Sequence, residues 1–195
     1  NEIDEAVTLS TIEPFASVEP GQLVATVKII PFAVRQDTLS ACETAAKKVK
    51  GLFRIAEYRP QKIGLLQTTL ANIPEKLVTK GEEVTAARLI AMGLTLDEAL
   101  VCPHEELAIR ESLKALSDGD CDIALVLGAS AVADRRDVVP SAITASGGQI
   151  EQLGMPVDPG NLTFLAHIGE MSVVGLPGSA RSPRTHGSDW IVQRL

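Results

Sequence analysis

From Gln61 onward, the apolar positions of this chain fall into short runs alternating with helically spaced sets. Ile63-Gly-Leu-Leu-Gln67 is a short apolar run and predicts a strand. Glu75 to Met92 places Leu77, Val84, Ala87, Leu89 and Ile90 at helical spacing, and Leu94 to Cys102 predicts a second strand. Leu107, Ile109, Leu113 and Leu116 predict a helix over His104 to Leu116, and Ile123 to Leu127 predicts a third strand. Val138 to Ser146 predicts a third helix closed by Gly147-Gly148, a residue pair suited to ending a helix. Gln149 to Leu153, Thr163 to Ile168 and Ser172 to Leu176 predict further strands, and Pro183 to Leu195 a closing helix. This alternation predicts an α/β fold, a three-layer α/β/α arrangement around a mainly parallel sheet.

Residues 1–60 carry a different pattern. Gln22 to Val34 is β-branched and interrupted by Pro31, which suits strands at an edge or a bend. Asp37 to Lys50 predicts a short helix, with Asp37 as N-cap ahead of Leu39, Ala41, Cys42, Ala45 and Ala46. The expected organisation is a small β-rich segment over residues 1–60, the end of a preceding domain, followed by a main domain over 61–195.

Composition narrows the function classes. With 195 residues and 45% hydrophobic content, the chain supports one substantial core with a small appendage. No run approaches the roughly 20 apolar residues that span a bilayer, and no secretory signal is visible, so the expectation is a cytoplasmic protein with no membrane partner. A net charge of −7 argues against nonspecific nucleic-acid binding, because no cationic excess is available to displace counterions. Cys42, Cys102 and Cys121 have no disulfide or zinc spacing and read as buried small hydrophobes.

The cations are unevenly placed. All eight lysines precede residue 115, whereas Arg135, Arg136, Arg181, Arg184 and Arg194 are the only cations from Gly128 onward. A guanidinium offers a planar fork matched to phosphate or carboxylate oxygens. Four of these five flank loops rich in Gly and Pro. These are Gly128 to Pro140, Gly154 to Asn161 and Gly175 to Pro183, each following an apolar run. Three such loops at one sheet edge make a ligand site in which backbone amides approach an anion. Asp137 reads in two ways, as the N-cap of the helix from Val138 or as a carboxylate beside a phosphate, where magnesium is at home.

Other chemistries fit poorly. Ser130 lacks the flanking glycines of a nucleophile elbow, and neither a Walker loop nor a dinucleotide fingerprint is present. His104, His167 and His186 have no metal spacing and read as capping, core or surface residues. Trp190, at helical spacing with Ile191 and Leu195, reads as core packing.

At these loops the sequence resembles the molybdopterin-binding domain family of molybdenum cofactor biosynthesis. The resemblance is carried by Gly128-Ala-Ser-Ala131, Arg136-Asp-Val-Val-Pro140, Met155-Pro-Val-Asp-Pro-Gly160 and Gly175-Leu-Pro-Gly178, in the family's order, over about residues 61–195. It implies molybdopterin as ligand, its phosphate held at Gly128, Ala129, Ser130, Ala131, Arg135, Arg136, Asp158, Pro159, Gly160, Pro177, Gly178, Ser179, Arg181 and Ser182. It also implies Asp137 as the metal-binding and catalytic aspartate of nucleotidyl or metal transfer, with Mg2+ and ATP as co-reactants if the chain adenylates the pterin. The alternative is a noncatalytic module serving a fused or partner nucleotidyltransferase; in either case the family points to a homo-oligomer. Two departures bear on that choice. Gly-Ala-Ser-Ala stands where the family's adenylyltransferases have Gly-Gly-Thr-Gly, and Cys102-Pro-His104 stands where many carry Pro-Asp.

Overall fold

The structure is a computed structural model and describes residues 1–49 and 51–195. The chain divides into two compact units, Asn1–Ala56 and Glu57–Leu195. In the first, β1 (Val7–Thr11) pairs antiparallel with β2 (Ala25–Ile29), Val7 opposite Ile29, and α1 spans Gln36–Lys48. The β1 strand has no counterpart among the sequence expectations. Asp37 is not the N-cap of α1: Arg35 holds that position, and Asp37 lies in the first turn, its carboxylate paired with the Arg35 guanidinium. That pairing pulls the Asp37 carboxyl below its usual pKa, with the Thr38 amide adding to the effect. Lys50, the expected end of this helix, lies outside the described residues.

The second unit holds a six-stranded sheet in the order β4-β3-β5-β8-β7-β6. The strands are β3 (Ile63–Thr69), β4 (Glu98–Pro103), β5 (Ile123–Leu127), β6 (Gln149–Leu153), β7 (Phe164–Ile168) and β8 (Met171–Leu176). The β3–β4, β3–β5 and β5–β8 pairs are parallel, whereas β7 runs antiparallel to both β8 and β6. The α/β class with a mainly parallel sheet is therefore the observed one.

Strand alternation builds two cores. On β5, Ala124 and Val126 face one core with Leu66, Ile109, Leu113, Leu116, Val139 and Ile143. Ile123, Leu125 and Leu127 face the other, with Ile63, Leu65, Leu89 and Val192. The first core lies beneath α3 (Glu106–Asp118) and α4 (Val138–Ala145), the second beneath α2 (Glu75–Ile90) and α5 (Gly187–Val192). This double burial is why the central strands read as unbroken apolar runs rather than alternating ones. Each fully buried Leu or Ile of α3 contributes about 2 kcal/mol by leaving water.

Several expected boundaries and contacts are corrected. Residues 94–97 are not strand. The Asp97 carboxylate accepts from the Ile63 amide, and the Asp97 amide donates back to the Ile63 carbonyl, which fixes a turn before β4 begins. Leu77, Ile90 and Leu107 are exposed, and the face of α2 that meets the sheet is made by Gly81, Thr85 and Leu89. The closing helix is only six residues long. His186 caps it in a reciprocal capping box with Asp189, and Trp190 is 43% exposed rather than core. Cys102 and Cys121 are buried free thiols and Cys42 is half-buried. No helix among the described residues is long and apolar enough to cross a membrane.

Candidate functional site

Because two antiparallel steps restore direction, β6 runs parallel to β8, so the carboxyl ends of β4, β3, β5, β8 and β6 share one sheet edge. The loops from Gly128, Gly154 and Pro177 all leave from it. The connection from β3 enters α2 on one face and that from β5 enters α4 on the other, so the chain diverges between these neighbours. Such a divergence opens a crevice at the strand ends, the usual ligand position in open α/β sheets.

That crevice is lined by a hydrogen-bonded chain. The Ala129 amide donates to Thr68 Oγ1 at 2.8 Å, Thr68 Oγ1 lies 2.7 Å from His104 Nδ1, and His104 Nε2 lies 2.8 Å from Ser130 Oγ. Burial lowers the pKa of His104 and keeps its imidazole neutral near pH 7, although the Asp137 carboxylate pulls the other way. Sequence reasoning did not place Thr68 in the site and met His104 only as a departure from the family's Pro-Asp. The available signal was a hydroxyl and an imidazole standing where apolar strand runs end, the edge at which such folds put their chemistry.

Asp137 holds its own loop. Its backbone occupies the N-cap position of α4, yet its side chain makes no cap bond. Instead Oδ2 accepts from the amides of Ala133 at 2.7 Å and Asp134 at 3.0 Å, closing the segment in front of the helix. The neighbouring arginines are engaged elsewhere: Arg135 donates to the Ile150 carbonyl of β6 at 2.8 Å, and exposed Arg136 pairs with Asp134 at 3.1 Å. Magnesium takes about six oxygens, ordinarily one or two carboxylates with phosphate oxygens and water. Here Asp137 Oδ1 accepts no hydrogen bond from the described residues, and no three of His, Cys, Asp and Glu among them form a metal-holding group. One carboxylate is the lower end of what magnesium takes from protein, the remaining oxygens coming from phosphate and water.

Arg181 is different. It ends a short 3-10 turn, Gly178–Arg181, directly after β8, and a Cβ on Gly178 would stand 3.7 Å from its Nη1. Its guanidinium therefore lies over Gly178, in a segment that starts beside the Gly128 loop, since Leu127 and Leu176 are register partners. The Arg181 Nε is buried without a hydrogen-bond partner, and burial draws its pKa below the ordinary arginine value. A half-buried cation without a counter-charge is costly unless an anion arrives to meet it.

The structure places the remaining predicted positions as follows. Ser179 Oγ bonds His186 Nε2 at 2.9 Å, and the Ser182 carbonyl accepts from Arg88. Arg88, also passed over in the sequence, pairs with Asp189 and donates to the Arg184 carbonyl, tying the segment after β8 to α2 and α5. The Gly154 loop joins the same cluster where Gly187 N donates to the Pro159 carbonyl at 3.0 Å. Gly160 permits that approach, since a Cβ there would stand 2.7 Å from Gly187 N. Asp158 and Pro159 are exposed. Arg184 is exposed, and Arg194 donates to the Trp190 carbonyl. His167 pairs with Glu151 at 2.8 Å, away from the loops.

A family model described as "Probable molybdopterin binding domain" matches residues 65–194. Among solved structures, the molybdopterin biosynthesis MoeA protein from Pyrococcus horikosii is 16% identical with a TM-score of 0.50, over 70% of this chain and 35% of that one. The molybdopterin biosynthesis enzyme MoaB from Thermus thermophilus is 17% identical with a TM-score of 0.47, over 68% and 88%. The protein CinA from Thermoplasma acidophilum, described as of unknown function, is 10% identical with a TM-score of 0.49, over 63% and 90%. The chain spans about a third of the Pyrococcus protein's length, and at 16% identity that likeness speaks for the fold alone. No curated protein matches the chain.

Proposed function

We propose, from the premise that this chain belongs to the molybdopterin-binding domain family, that its C-terminal sheet edge holds the phosphate of molybdopterin, and that transfer chemistry takes place there. The observation that carries this reading is Arg181, a partly buried guanidinium with no partner among the described residues, at the edge from which the three loops leave. A phosphate supplies the missing charge. The Ser130 and Ala131 amides and the Ser130 hydroxyl supply donors beside it.

The transfer we propose is adenylation of that phosphate by ATP with release of pyrophosphate, or the handling of the adenylylated pterin when molybdenum is inserted. The residues of this chain would bind and orient the phosphate, with Asp137 holding the loop around it. One observation favours the second reading, a module that carries the pterin for a fused or partner nucleotidyltransferase: the edge presents neutral His104, and among the described residues no three of His, Cys, Asp and Glu stand together to hold a metal. A homo-oligomer and a cytoplasmic location belong to the same proposal.

Titration tests the ligand. Molybdopterin is expected to bind more tightly than ATP, and Arg181→Ala to weaken it by about 1.5–3 kcal/mol, with the thermal midpoint nearly unchanged. Equal losses of stability and affinity would make Arg181 a structural residue. Incubating the wild type with molybdopterin, ATP and Mg2+ separates the two readings, since adenylylated pterin forms only if the chain catalyses the step.

A further inference from the structure

The chain from Ala129 to Ser130 has a direction that counting donors determines. A threonine hydroxyl has one hydrogen and two lone pairs. Thr68 Oγ1 spends one lone pair on the Ala129 amide. Thr68 is 1% exposed, so its hydrogen cannot turn to bulk water, and among the described residues the acceptor within reach is His104 Nδ1 at 2.7 Å. If Nδ1 carried the proton instead, both Thr68 lone pairs would be filled and its buried hydrogen stranded, a cost of the size of any unmet buried donor. Thr68 therefore donates to Nδ1. A neutral imidazole then carries its proton on Nε2, and Nε2–H donates to Ser130 Oγ at 2.8 Å.

The consequence falls on Ser130. With a lone pair taken by the imidazole, its own hydrogen is free, Ser130 is exposed, and no acceptor among the described residues claims it. We infer that Thr68 and His104 are positioning residues that set the Ser130 hydroxyl as an outward donor, so that the crevice between β3 and β5 takes an oxygen that only accepts, an unprotonated oxygen of a phosphate. Successive bonds pointing one way polarise each other, which strengthens the last donor. The same polarity argues against Ser130 as a nucleophile, because the imidazole donates to its oxygen rather than taking its proton. The ligand half of the inference rests on the phosphate reading above, whereas the relay itself is a property of the free protein.

Nitrogen-15 NMR of the imidazoles in the full chain reads the relay without any ligand. His104 is expected as the Nε2–H tautomer, and an Nδ1–H tautomer overturns the inference whatever the protein binds. Titration with inorganic phosphate as the probe reads the donor. Ser130→Ala and His104→Leu should each weaken phosphate about threefold to tenfold, and His104→Gln, whose amide offers both an acceptor and a donor, should restore most of it. The pH profile adds a readout that a structural role would not move: phosphate should tighten as its second proton leaves, and sulfate, an acceptor throughout, should not. Unchanged affinity in Ser130→Ala, or a wild type that does not bind phosphate, overturns the ligand assignment. Phosphate binding with the expected tautomer but no binding of molybdopterin leaves the relay standing and removes the pterin reading.

Discussion

At Asp137, one carboxylate oxygen accepts from two amides of the loop that precedes it, and this bears directly on how the residue should be tested. Asparagine keeps an oxygen acceptor in that place. Asp137→Asn is therefore expected to cost less than about 1 kcal/mol in urea denaturation, and Asp137→Ala about 1–2 kcal/mol, since two amides lose their partner to be replaced only by water. Phosphate affinity should follow the same order, because this side chain closes the loop whose earlier part carries the ligand-facing donors. If Asp137→Asn instead retains binding and loses all adenylylation, the aspartate's charge serves the transfer step. Arg181 and His104 show the converse case. Arg181 carries a charge without a partner among the described residues, and His104 is kept neutral by burial although Asp137 favours its protonated form.

Among the elements, β8 is the most constrained. It pairs with β5 on one side and β7 on the other, and Gly175 lies opposite Phe164. A Cβ on Gly175 would stand 1.9 Å from Phe164 Cε1, and Phe164 is itself buried, so neither can yield without moving the first core. Gly175→Ala is expected to destabilise the protein by about 3 kcal/mol through overpacking. Adding Phe164→Leu should recover part of that loss, a non-additivity readable from the thermal midpoints of the two singles and the double. The segment after β8 shows tertiary bonds overriding local pattern. Arg88 engages the carbonyls of Ser182 and Arg184, and α5 begins only at Gly187, under the His186 cap. The helix expected from Pro183 is accordingly shortened to its last turns.

The whole molecule carries a pH dependence that follows from two imidazoles, buried His186 and half-buried His104. Burial lowers the pKa of both His186 and His104; for His186 the nearby Arg88 charge lowers it further and Asp189 opposes. Above the unfolded value, about 6.5, both are neutral in either state and contribute nothing. Below it, the unfolded chain binds protons that the folded chain refuses, so stability falls as the pH drops from near 7 toward the depressed folded values. Urea denaturation between pH 7.5 and 5 is expected to show this fall, and His186→Asn, which keeps a polar cap without a titrating ring, to flatten it. An equal slope in that variant would place the effect on other groups.

The amino-acid sequence alone determined the alternation of strands and helices after Gln61, because double-sided burial writes itself as apolar runs such as Ile123–Leu127. It also marked the three loops, since Gly and Pro punctuate the chain wherever backbone must turn or approach closely. Strand order, the antiparallel place of β7 and the crevice between β3 and β5 were decided only by the tertiary structure, because pairing partners leave no trace in local periodicity. The same holds for side chains. Thr68, His104 and Ser130 are 36 and 26 residues apart in consecutive steps, and their hydrogen-bonded chain exists only because β3, β4 and β5 end side by side. Whether an arginine at the loops is engaged, as Arg135 is with β6, or left without a partner, as Arg181 is, depends on which groups the fold brings within a few ångströms.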